Sequence, residues 1–143
     1  MKYKRLNMIM LMLLAMITSC NFIGPDVYNI VKTNADQGVD TINFTDALWF
    51  DWDTMYWFPS NYPLEEINAI VNINNYWQDV GDRIVFVKDH KIVYYNEFFP
   101  YHETPLERID FNTDSLMVVG SDDALFSIQK VGDKLYILSS IKK

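Results

Sequence analysis

The chain has 143 residues, half of them apolar and 15% aromatic, which suffices for one globular domain and not for two. Its formal charge of −7 sets the protein surface against nucleic acid and anionic lipid, so nucleic acid is excluded as an expected partner. One cysteine, Cys20, rules out an internal disulfide framework.

The N-terminus reads as an address. Lys2, Lys4 and Arg5 precede an apolar run of twelve residues, Leu6 to Ile17. That run falls short of the roughly 20 residues needed to span a bilayer but suits a signal peptide. Ile17-Thr18-Ser19-Cys20 follows and resembles the bacterial lipobox, in which an aliphatic residue and two small ones precede an invariant cysteine. The resemblance implies cleavage after Ser19, a diacylglycerol thioether on Cys20 and acylation of the new amino group. The alternative is an ordinary signal peptide that happens to meet a cysteine. With the signal gone, 9 basic residues face 19 acidic ones, a charge of −10, so the lipid and not the protein surface holds the chain to a membrane. Several acyl chains make a stable anchor where one is marginal. Asn21 after the cysteine is permissive for the outer membrane in bacteria that sort lipoproteins by this position. The expected location is the cell envelope, on an outer membrane or the periplasmic face of a membrane.

The remaining elements follow in chain order. Residues 20–42 read as the lipidated cysteine and a flexible tether, punctuated by Gly24-Pro25, Asn29, Asn34 and Gly38. About 20 flexible residues reach about 25 Å. The apolar patch Val27–Val31 is the one place where this tether has the material to dock as a short strand or helix. Residues 43–143 read as a single α+β domain. Its densest stretch, Phe44 to Pro63, holds three of the four tryptophans. Alternation places Leu48, Phe50, Trp52, Tyr56 and Phe58 on an apolar core face and Trp49, Asp51, Asp53 and Trp57 on a mixed one. Its length calls for a break near Asp53-Thr54. Pro63, with Glu65 and Glu66 in the first turn and Leu64, Ile67, Ile70 and Val71 at helical spacing, predicts a helix to about Ile73. Arg83–Lys88 and Lys91–Tyr95 flank Asp89-His90 as a hairpin with arms apolar on both faces. Leu106–Phe111 and Leu116–Val119 read as short strands, and Ala124–Val131 and Lys134–Ser140 as a second hairpin around Gly132-Asp133. The expected fold is one antiparallel sheet of five to seven strands with a single main helix, from Pro63, packed on one face.

Candidate functional residues are few. Asp51 and Asp53, two apart on one face, put carboxyls roughly 7 Å apart, near the about 5 to 9.5 Å of glycosidase pairs. Trp49 and Trp57 flank them as platforms for sugar rings. The plainer reading is a solvated face whose acids discourage edge aggregation. His90 reads as a turn residue in a place where glycine is usual. His102 with Glu103 lacks a third ligand at zinc or calcium spacing, so no metal is expected. No serine stands in a nucleophile-elbow setting and no glycine-rich phosphate loop occurs, so no cofactor and no catalytic residue are expected.

The phrases FDWDTMYWFPSNYPLEEI and RIVFVKDHKIVYY resemble a group of small, uncharacterised bacterial lipoproteins and secreted proteins. These carry an F-D-W-D-x-M-Y-x-F strand, an E-E-I helix and a VFVKDGK-type hairpin. The resemblance covers about a third of the chain and implies a fold and no activity. His90 replaces the glycine of that pattern, and Trp57 precedes Phe58. The function expected is that of a lipid-anchored, non-enzymatic envelope protein that binds another protein, with a basic toxin as one concrete partner, in the manner of an immunity or inhibitor protein. The alternative is a carbohydrate-binding or glycan-cleaving protein using Trp49, Asp51, Asp53 and Trp57, which requires those four on one accessible surface.

Overall fold

The computed structural model describes residues 24–72, 81–99 and 106–141. The expected signal sequence, Cys20, the expected exit of the Pro63 helix beyond Asn72 and the His102-Glu103 loop lie outside the described residues.

In chain order the elements are α1 (Val27–Asp36), β1 (Thr41–Asn43), α2 (Phe44–Ala47), β2 (Thr54–Phe58), α3 (Leu64–Val71), β3 (Asp82–Lys88), β4 (Lys91–Phe98), β5 (Arg108–Phe111), β6 (Met117–Gly120), a 3-10 turn at Ser121–Asp123, β7 (Leu125–Val131) and β8 (Leu135–Ser140). They build two sheets, ordered β1-β7-β8-β5 and β4-β3-β2-β6. The expected single sheet with one main helix is therefore corrected to two four-stranded sheets with a few short helices. The physical reason lies in β2 and β3. Both are apolar on both faces, and a helix on one face leaves the other to be covered. Strands β5, β7 and β8 do this as a sheet of their own instead of extending the first. The pairing is also not all antiparallel, because β5 runs parallel to β8 with Ile109 opposite Tyr136.

Alternation in β2 shows how the two covers divide. Met55 and Trp57 point between the sheets, where they join Ile84, Phe86 and Val119 of their own sheet with Ile109, Phe111, Phe126 and Leu138 of the other. Phe58 points the opposite way, under Ile67 of α3, with Val85, Tyr56 and Tyr62 around it. The face assigned from sequence to the helix does meet the helix at Tyr56 and Phe58, but the main core lies on the other face. Upstream of β2 the alternation does not apply, because Phe44–Ala47 is a helical turn and 48–53 is irregular. The break near Asp53-Thr54 falls where β2 starts.

The N-terminal segment corrects the second half of the expected tether. Asp26 caps α1, its Oδ1 accepting from the Asn29 N–H at 2.7 Å. Val27, Tyr28, Ile30 and Val31 recur on one helical face and are all buried in the main core. Tyr28 meets Tyr136 of the first sheet edge-on at 5.7 Å, while the Val27 N–H donates to the Tyr94 hydroxyl of the second sheet at 3.2 Å. The helix thus links both sheets. Each buried side chain of this size stabilises the fold by about 1.5–3 kcal/mol, which a tether residue does not. Strand β1 then pairs with β7, Ile42 opposite Phe126.

The turn chemistry follows the sequence. Asp89 and His90 have φ of 48° and 62°, the pair of positive values a two-residue hairpin turn requires. The second hairpin closes one residue later than its sequence signal, with Val131 opposite Leu135 and Gly132 at φ 68°. Helix α3 starts at Leu64 with Pro63 as its cap and ends at Asn72, whose φ of 49° stops it.

Candidate functional site

The four residues singled out from sequence do not share one surface. Trp49 is 45% exposed. Its Nε1 donates to the Pro25 carbonyl at 3.1 Å, and its ring lies so close over Gly24 that an added methyl there would come within 2.5 Å of it. The Asp51 side chain is 89% exposed and 3.5 Å from Lys88 Nζ. The Asp53 carboxylate accepts from the Asp89 N–H at 2.8 Å and so braces the hairpin turn. These three belong to the loop before β2. Trp57 is only 1% exposed and packs between the sheets, 4.8 Å from Phe111. The strand parity that joined it to the others fails because Trp49, Asp51 and Asp53 precede the strand. The sugar platform of two tryptophans flanking two aspartates is not assembled.

A different group of residues forms a cleft at the opposite end of β2 and β3. Trp57 lies almost wholly covered at its base, the turn at Pro59–Asn61 forms one rim, and Asp82, Arg108, Asp110 and Asp114 are its charged lining. Its volume is about 290 Å³, just under the roughly 300–1,000 Å³ of most small-molecule sites. Each sheet contributes. Asp82 opens β3, and its Oδ1 accepts from the Ser60 N–H at 2.8 Å. Asp110 lies on β5 of the other sheet, its Oδ1 accepting from the Phe111 N–H at 2.8 Å and its Oδ2 from Arg108 at 3.0 Å. On that strand Ile109 and Phe111 turn inward, so Arg108 and Asp110 turn toward the cleft by alternation.

Burial raises the Asp110 pKa above the ordinary carboxylate range; Arg108 opposes the shift and the Asp82 charge adds to it. With every group ionised, the three carboxylates and one guanidinium leave the cleft at −2. A cation entering the cleft relieves that repulsion and favours the charged form of Asp110. Asp82 and Asp110 already accept backbone or guanidinium hydrogen bonds, which hold them in place as fixed charges. The cleft suits a compact cationic group, which its carboxylates can pair. Among the described residues, no three His, Cys, Asp or Glu side chains gather as a metal site, and no helix is long and apolar enough to cross a membrane.

Sequence reading missed this cleft. Its one local signal is the Arg108-x-Asp110 pair on a short strand otherwise apolar. Nothing local places that pair beside Asp82, 26 residues earlier. Compared with known proteins, the chain matches no family model, no curated protein and no solved structure.

Proposed function

We propose that this chain is a lipid-anchored protein of the bacterial envelope that binds a basic protein partner and carries out no catalysis of its own. The observation that carries the reading is the cleft at Asp82, Asp110 and Asp114, acidic and small. Its size fits one lysine or arginine side chain better than a cofactor or a sugar chain. The overall charge of −7 for the whole chain speeds encounter with a positively charged partner. The signal sequence and the Cys20 lipobox support the anchor. An inhibitor or immunity protein guarding the envelope against a basic toxin is one concrete form of this function.

The test is crosslinking in intact envelopes, comparing the natural chain with an Asp110→Asn/Asp114→Asn variant. The expected result is a protein of high isoelectric point recovered with the natural chain, weakened by raised salt and lost with the variant. Recovery of the same proteins with both chains, or of none with either, would count against it.

A further inference from the structure

The folded body begins almost at the anchor. Gly24 is already packed under Trp49 and Pro25 accepts the indole N–H, so the domain takes hold of the chain there. Only Asn21, Asn-adjacent Phe22 and Ile23 separate Cys20 from Gly24. Four Cα-to-Cα steps span at most about 15 Å, against the about 25 Å reach of a 20-residue flexible tether.

The point of attachment also has a definite place in the fold. Trp49 sits edge-on to Phe50 at 5.3 Å, and Phe50 stacks on Tyr94 at 5.0 Å. Two residues on, Asp51 reaches Lys88, and Asp53 holds the Asp89 N–H. The anchor therefore enters at the end of the second sheet that carries the Asp89-His90 turn. The cleft opens where β3 begins, at Asp82. Between Lys88 and Asp82 the strand rises about 20 Å.

We infer that the domain sits directly on the bilayer, with the loop at 48–53 and the Asp89-His90 turn against the lipid headgroups and the acidic cleft facing away. The inference rests on the lipid anchor proposed above. The surface chemistry at that end fits the occupant. Trp49 is half-exposed with its N–H already satisfied, the state in which an indole suits the headgroup boundary. Lys88, Lys91, Asp51 and Asp89 mix both signs, which matches a zwitterionic headgroup layer. The cleft, at −2, is held away from anionic lipid and toward proteins in the surrounding space.

The test uses the full chain, expressed in bacteria. Palmitate labelling is read first against Cys20→Ala. Acylated protein carrying one added cysteine, Asp51→Cys or Asn61→Cys, is then labelled with a fluorophore. It is placed in phosphatidylcholine vesicles that contain a lipid with a nitroxide on its headgroup. The Asp51 label is expected to be quenched several-fold more than the Asn61 label. Inserting a Gly/Ser segment of about 15 residues before Gly24, with a reach of about 20 Å, is expected to remove the difference. Equal quenching at the two positions in acylated protein without the insertion overturns the seating and leaves the anchor standing. Palmitate labelling no different from Cys20→Ala overturns the anchor and the seating with it. Circular dichroism checks each variant's fold, and Lys91→Cys and Thr113→Cys replace any that fails.

Discussion

Val31→Ala tests whether residues 27–36 belong to the domain. Val31 is fully buried, in a cluster that draws on both sheets. The substitution removes two carbons, about 1.6 kcal/mol of transfer free energy at about 0.8 kcal/mol each. The cavity left between α1 and the sheets adds to this, for a total of about 2 kcal/mol. The helix interior itself favours alanine over valine by a few tenths, which trims the loss slightly. Equilibrium urea unfolding, followed by tryptophan fluorescence, reads the change. With a slope of about 2 kcal/mol per molar, the midpoint falls by about 1 M. Asn29→Ala, on the exposed face of the same helix, is the control and changes stability by less than about 0.5 kcal/mol. If Val31→Ala unfolds at the same urea concentration as Asn29→Ala, the helix does not support the core, and the short link proposed between domain and anchor is lost with it.

Three further outcomes follow from particular residues. His90→Gly relieves a positive φ of 62° and raises stability by about 0.5–1 kcal/mol, seen as a higher melting temperature; an unchanged or lower one contradicts the turn. Glu97→Ala removes the carboxylate 3.5 Å from the buried Arg83 guanidinium and destabilises by about 1–3 kcal/mol in the same urea assay. Adding Arg83→Met to Glu97→Ala is expected to restore part of that loss, and a strictly additive double variant argues against the pair. Tyr28 has its pKa pushed up to about 12, chiefly by burial and then by the Glu107 charge. The fold thus keeps the neutral phenol. Its contribution is intact below the ordinary value of about 10 and is lost as pH rises through about 12. Absorbance at alkaline pH is expected to show a late-ionising tyrosine that Tyr28→Phe removes; identical titration curves for the two proteins refute it.

Legibility varied with the range of the interaction involved. The Asp89-His90 hairpin, helix α3 and the C-terminal hairpin were readable because turn residues and apolar spacing act over a few positions. Val27–Val31 carried the apolar material of a helix. The glycine, proline and asparagines around it resembled a linker, and its burial depends on Tyr136 and Tyr94, far along the chain. Trp49 and Trp57 looked equivalent because alternation was extended across a loop that is not a strand. Of the candidate site, the sequence points to Trp57 as an exposed platform, whereas the fold buries it at the base of the cleft. Arg108 and Asp110 read as charges of a short strand, and Asp82 falls just outside the Arg83–Lys88 arm.

The residues alone carried the local matters: that β3 and β4 form a hairpin, and which turns take positive φ. A strand apolar on both faces also declared that it needed two covers. It did not say what they were. That choice belongs to packing between distant segments. The Pro63 helix closes one side, while β1, β5, β7, β8 and the N-terminal helix close the other. Hydrophobic burial has no direction and no sequence range, so no short-range pattern encodes it. The same packing brings Asp82 and Asp110 together at one end of the sandwich and ties Gly24 down at the other.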